Sequence, residues 1–266
     1  LFRSLVDAGR YQYTYHEKNR IWLKSAYAHN TLLVDNKDFM EYTDAWGSEY
    51  AAPELRISPI QKAGYLVLEG AHTGYLQKGV QVLLKRMVVV LEPGVYVLAD
   101  MAYTSEKHTY SRLFHFNNQG NLVCEDNRIV YNGTRAKMEL VFPQENISFH
   151  RIESKISRHY NLCEKNEAVS AEAQGEGQTA MFAVLAGKQM QPVQVSMRSV
   201  YNPVRNCALK EEYAQGLYIR TDNHEYRLIF RYKDLTGPHD LLQMDSCMGI
   251  GRLLISADGE NTISFA

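Results

Sequence analysis

His29 and Asn30 sit side by side where Ser25-Ala-Tyr-Ala28 leads into the run Thr31-Leu-Leu-Val34. That run is β-branched or aliphatic, so it reads as a buried strand rather than a helix. A polar pair at the mouth of a rigid strand is held more accurately than the same pair on a free loop. Imidazole takes or gives a proton near neutral pH, so the pair is suited to acid–base chemistry. Three further groupings accompany it: Gly70-Ala-His72-Thr-Gly74-Tyr75, the basic pair Lys85-Arg86, and Asp100 followed by His108 and Phe114-His115-Phe116. A lone histidine in a β-rich chain is usually a packed or hydrogen-bonded one. His16, His150, His159, His224 and His239 are given no more than that role.

Strands must position these groups. Period-two patterns and turn signals run through all 266 residues. Val80–Val90 reads as a long strand closed by Glu92-Pro93-Gly94 and followed by Val95–Met101. Proline then glycine suits a type II turn, because proline presets the first φ and glycine accepts the positive second. Asn121–Cys124 with Ile129–Tyr131, Leu217–Arg220 with Tyr226–Arg231, and Leu253–Ser256 with Thr262–Phe265 read as further hairpins. Leu140–Phe142, Ile147–Ile152, Ile156–Tyr160, Ala180–Leu185 and Val193–Val200 are strand-like between them. Tyr11, Tyr13 and Tyr15 alternate, which places them on one face of a strand. Glu41–Glu49 holds a short turn at most, and Glu172–Gln178 reads as a surface loop. Many strands with no α-periodic partner predict an all-β fold: one large antiparallel β-sandwich of two or more stacked sheets, spanning 1–266.

Composition narrows the function. With 29 basic and 30 acidic residues the net charge is −1, which excludes the basic excess expected of a nucleic-acid binder. An acidic polysaccharide would have to be met by a local group of Arg, Lys and His. No apolar run reaches the ~20 residues of a membrane helix. The four cysteines are widely spaced and form no C-x-x-C pair, consistent with reduced structural thiols. The opening residues read as mid-protein sequence, with no features of a signal peptide.

The ordered set Gly9-Arg-Tyr11, a tryptophan, Ala28-His-Asn-Thr-Leu-Leu-Val-Asp35, Ala71-His-Thr-Gly-Tyr75, a basic pair opening a hairpin that ends in Asp100, then His108 and Phe114-His-Phe116 resembles the C-terminal β-sandwich of heparinase II/III-like polysaccharide lyases. The resemblance covers roughly Gly9 to Phe116. It implies an N-terminal (α/α) toroid earlier in the protein, a cleft between the two domains, and β-elimination at uronic acids in an acidic polysaccharide or oligosaccharide. In that chemistry a base removes the C5 proton, and donors or a cation hold the growing enolate charge on the carboxylate. Residue by residue, the resemblance makes His29 and His72 the catalytic histidines and Asn30, Tyr75 and Arg86 candidates for substrate binding. The resemblance also implies that an asparagine and a tyrosine from the toroid carry much of this work, with the histidines of this domain completing the site. The compartment is not fixed by the sequence; a periplasmic or secreted setting is favoured over a cytoplasmic one. No cofactor is required for the chemistry.

Some relatives hold a structural zinc ion with two histidines and an aspartate. Here the resemblance gives His29 and Asp44 as ligands, with Asp35 or Asp38 as alternatives to Asp44. Where the family often carries His-Arg-Arg this chain has Lys85-Arg86-Met87, and a protonated lysine does not ligate zinc as imidazole does. Asp100, His108 and His115 read as structural. The competing functional class is a non-catalytic carbohydrate-binding or scaffolding β-sandwich; a hydrolase accessory domain is a third.

Overall fold

The Pro93-Gly94 turn forms as its residues predict: Gly94 has φ 91° and Glu92 pairs with Val95 across it. A register shift between Val90 and Glu92 admits the tight turn into the long hairpin Leu83–Glu92 and Val95–Tyr103. The computed structural model describes residues 4–13, 18–49, 54–55, 59–134, 136–233 and 240–265. Tyr15, His16 and His239, and the end of the Phe39–Pro53 loop, lie outside the described residues.

That hairpin is the middle of a nine-stranded antiparallel sheet. Its order is Glu54–Leu55, Tyr65–His72, Leu83–Glu92, Val95–Tyr103, Thr179–Gly187, Lys137–Val141, Arg128–Gly133 and Gly120–Glu125, with Ile60–Lys62 also on Tyr65–His72. On one side lies a four-stranded outer sheet, in the order Leu32–Val34, Lys107–His115, Leu162–Glu176 and Ser148–His159. On the other lies a five-stranded sheet of Gln194–Arg198, Ala214–Arg220, Glu225–Arg231, Leu253–Ala257 and Ile263–Phe265. A small sheet of short strands between Tyr201 and Gly249 accompanies the last of these.

Strand alternation explains the layering. In Val95–Tyr103, the odd residues Val95, Val97, Ala99 and Met101 pack with Leu217, Ile219, Leu228 and Phe230 of the five-stranded sheet. The even residues Tyr96 and Leu98 pack toward Phe114, Phe116 and Val169 on the outer-sheet side. One strand therefore supplies both cores, because successive side chains leave opposite faces. The expected all-β sandwich of stacked antiparallel sheets is the observed fold, with three principal layers.

Four expectations are corrected. Tyr11 and Tyr13 are not in a strand; Tyr11 has φ 67° and the segment follows an irregular path. Residues 172–176 are not loop but the end of Leu162–Glu176, paired with Lys107–Ser111. Ile147–Ile152 and Ile156–Tyr160 are one strand, Ser148–His159, with an irregularity after Ile156. Two short helices were not foreseen, Lys18–Lys24 and Gly74–Gln77. Among the described residues no helix is long and apolar enough to cross a membrane.

Candidate active site

Arg86 lies opposite Gly70 on one neighbouring strand and opposite Asp100 on the other. Facing residues on antiparallel strands bring their Cβ atoms within about 5 Å, so the Asp100 carboxylate is within reach. Arg86 donates Nε to Asp100 Oδ1 at 2.5 Å and Nη2 to Oδ2 at 3.0 Å. Gly70 has no side chain to cover the guanidinium from the other side. A groove of about 340 Å³ opens there, lined among others by Thr31, Gly70, His72, Leu84, Arg86 and Asp100.

Asp100 is buried and shared. Arg112, on the outer sheet, donates Nε to Oδ2 at 2.9 Å, so one carboxylate ties two layers together. Burial opposes its charge, but the two guanidiniums outweigh that and hold its pKa below the usual carboxylate value. Arg112 is pushed down to about 10 by burial and remains a cation at neutral pH. Its two terminal nitrogens have no hydrogen-bond partner among the described residues. Two guanidiniums against one carboxylate leave an excess positive charge beneath the groove.

His72 enters the groove from the end of Tyr65–His72. Its ring packs on Phe39, centroids 4.4 Å apart, and its Nδ1 accepts from the Gly74 backbone N–H at 3.3 Å. That bond assigns the neutral tautomer with Nε2–H as donor. Burial, and then the nearby Arg86 charge, lower its pKa. It is therefore a neutral hydrogen-bond donor beside a cation.

His29 is outside the lining of that groove. Its Nδ1 meets Asp7 Oδ2 at 2.7 Å, and this hydrogen bond, opposed by burial, raises the histidine pKa and lowers that of Asp7. Asp7 was not singled out from the sequence, since 22 residues separate it from His29. It is placed by the segment before Gly9, which runs along the outer sheet: Val6 donates to the His115 carbonyl at 2.9 Å and Ser157 to that of Ala8 at 2.7 Å. Gly9 has φ 80°, and a Cβ there would collide with the Ser157 carbonyl, so only glycine fits. The link from His29 to the groove is Asn30, whose carbonyl accepts from Arg86 Nη1 at 2.5 Å.

Asn30 and Tyr75, expected at the substrate, serve the backbone instead. Asn30 Nδ2 donates to the Val6 carbonyl at 2.9 Å and Oδ1 accepts from His115 N–H at 2.7 Å. Tyr75 is buried; its hydroxyl donates to the Lys37 carbonyl at 2.7 Å and accepts from Val34 N–H at 2.9 Å. His115 and His108 are buried with partners, Ser154 Oγ and Asp35 Oδ2, both at 2.8 Å. Of the six candidates, only His72 and Arg86 share the groove.

A family model described as heparinase II/III-like, C-terminal, matches residues 3–198. The chain belongs to the heparinase II/III-like C-terminal family. No curated protein sequence matches it. Solved structures with a similar fold include the heparan sulfate lyase HepC from Pedobacter heparinus, with TM-score 0.67 and 16% identity over 87% of this chain and 35% of that one. A heparinase III gene product is similar at TM-score 0.63 and 16% identity, covering 86% and 34% of the two chains. A further heparinase III structure gives TM-score 0.63 at 12% identity, with the same coverage. At these identities the likeness is one of fold, and the chain spans about a third of the length of each neighbour.

The zinc site found in some heparinase II/III-like relatives does not fit the donors here. Asp44 Oδ1 accepts the Trp46 and Gly47 backbone N–H groups, at 2.6 and 2.7 Å, capping its own turn. The carboxylates that act on His29 are Asp7 and Asp38. Lys85 lies on the opposite face from Arg86 and pairs with Glu69 at 2.6 Å, which also holds Arg252 of the five-stranded side. Among the described residues no three His, Cys, Asp or Glu side chains group to hold a metal ion.

Proposed function

We propose that this domain belongs to a polysaccharide lyase that cleaves a uronic-acid-containing polymer by β-elimination, working with an N-terminal toroid of the same protein. The carrying observation is the partly exposed Arg86 guanidinium in a groove beside His72, above a carboxylate already shared with Arg112. An anionic group in the groove would neutralise the excess charge, and the Arg86 N–H groups not taken by Asp100 and Asn30 are left to donate to a uronate carboxylate.

In the proposed reaction the C5 proton leaves to a base and its electron pair forms the C4–C5 double bond. The C4–O4 bond breaks and O4 takes a proton. Charge that builds on the carboxylate as the C5 proton departs is met by Arg86 and by the Nε2–H of His72. His29, held by Asp7 through Nδ1 and by a further bond to the Leu23 backbone, is proposed as a proton carrier for the reaction. The two histidine pKa values move in opposite directions, the arrangement that separates acid and base roles.

Full-length protein offered heparan sulfate, alginate and related polymers should generate the absorbance of an unsaturated uronate. Binding without that absorbance on any uronate polymer would leave the non-catalytic carbohydrate-binding reading in its place. The 266-residue chain by itself should turn over far more slowly than the full protein, because parting catalytic groups forfeits their positioning.

A further inference from the structure

We propose that a second saccharide-binding surface lies outside the groove, on an aromatic platform of Tyr13, Trp46 and Tyr160 that stacks against the sugar rings of an acidic polymer. The inference rests on the acidic-polysaccharide reading only for the identity of the ligand.

The three rings come from segments far apart in the chain: the stretch before helix Lys18–Lys24, the turn capped by Asp44, and the turn between Ser148–His159 and Leu162–Glu176. They remain 46%, 65% and 60% exposed, respectively. Tyr13 lies 6.0 Å from Trp46 at an interplanar angle of 21°, and 6.1 Å from Tyr160 at 23°. Singly exposed aromatics are ordinary, but two exposed rings each within 23° of a third that they flank form a shaped surface. The apolar C–H face of a pyranose ring is the ligand chemistry that flat aromatic faces suit. Tyrosine and tryptophan also lose little conformational entropy on binding.

The platform is braced from within. Arg20 is buried, and its guanidinium stands 5.7 Å from the Tyr13 ring centre and 5.4 Å from that of Trp46. Its Nη1 donates to the Arg10 carbonyl at 3.1 Å, which fixes the cation that both rings face. Asp44 accepts from the backbone N–H groups of Trp46 and Gly47, which holds the turn that carries Trp46.

Charge selects the polymer. Helix Lys18–Lys24 carries Lys18, Arg20 and Lys24 and no acidic residue. Lys24 lies over the Tyr42 ring at 4.8 Å, and Lys155 over Trp22 at 6.0 Å while bonding Asn19 at 2.7 Å. Aromatic faces fringed by cations complement a chain that alternates sugar rings with acidic groups.

Affinity electrophoresis of the full-length protein through gels containing heparan sulfate, alginate or neutral dextran tests this. Trp46→Ala and Tyr160→Ala should each weaken retardation by the acidic polymer at least fivefold, whereas Trp46→Phe and Tyr160→Phe should largely restore it. Cleavage of a short acidic tetrasaccharide should stay unchanged in all four. Unaltered retardation in both alanine variants overturns the proposal. So does protection of Trp46 from N-bromosuccinimide in the full-length protein without saccharide, which would mean that another part of the protein covers the platform. Platform-dependent retardation without cleavage of any polymer would sink the lyase reading and leave this one standing.

Discussion

Arg86 and Asp100 face each other on adjacent strands and close a two-point contact that no other side-chain pair in the groove makes among the described residues. The same carboxylate holds Arg112 across the sheet interface. Removing its charge leaves two guanidiniums without a counterion, one of them fully enclosed. Asp100→Asn should therefore lower stability by about 3–5 kcal/mol in urea denaturation, the usual cost of breaking a buried ion pair. A loss below 1 kcal/mol would show that solvent already screens the triad.

Arg86→Lys keeps a charge but loses both the two-point grip on Asp100 and the spare N–H groups left for substrate, so its activity is read beside a urea melt. It should reduce kcat/KM on a uronate polymer at least tenfold. Retained activity would mean that substrate carboxylates bind elsewhere.

His29→Ala should cut turnover by about 10²–10⁴-fold, the range for a general acid or base, with circular dichroism unchanged. Asp7→Asn supplies a finer check. It removes the hydrogen bond that raises the His29 pKa, so the limb of the pH–rate profile governed by His29 should move to lower pH. A profile that stays in place would assign that limb to another group.

His115 gives a stability prediction with a definite sign. Burial pushes its pKa down from 6.5 to about 4, so the unfolded chain binds a proton first as the pH falls. The contribution is complete above pH 6.5 and is lost as the pH drops toward 4. By linkage it amounts to about 3 kcal/mol. His115→Gln should flatten the stability curve over that window in urea melts at stepped pH. His29, whose pKa is raised, acts in the opposite sense: its share is present at low pH and fades as the pH climbs through its folded value.

Tyr75→Phe isolates a brace from a ligand. It strands the buried Val34 N–H and should cost about 1–3 kcal/mol of stability, with kcat almost unaltered. A large loss of kcat at unchanged stability would return Tyr75 to the substrate.

Hairpins were legible because proline, glycine and alternation act within a few residues, as at Glu92-Pro93-Gly94. Helix Lys18–Lys24 was not, since seven residues carry too short a period; its buried positions are only Arg20 and Leu23. The polar, glycine-bearing Glu172–Glu176 reads as loop, yet its backbone groups are satisfied by pairing with Lys107–Ser111. At the site, the motifs suggest His29 and His72 together, whereas the groove brings His72 beside Arg86 and leaves His29 outside its lining. The partner of His29 was hidden because Asp7 is brought to it by contacts of Val6 and Gly9 with Lys107–His115 and Ser148–His159, strands far away in the chain. Asn30 and Tyr75 looked functional by type; their hydrogen bonds show where such groups go when nearby amides need them.

The Val95–Tyr103 strand, which lends alternate side chains to the packing on either flank, has a consequence for how the molecule comes apart. Neither flanking layer can peel away without baring a wall that the other still needs. Calorimetry should accordingly record one cooperative melting event, and amides of Leu83–Glu92, Val95–Tyr103 and Thr179–Gly187 should exchange with deuterium only through that event.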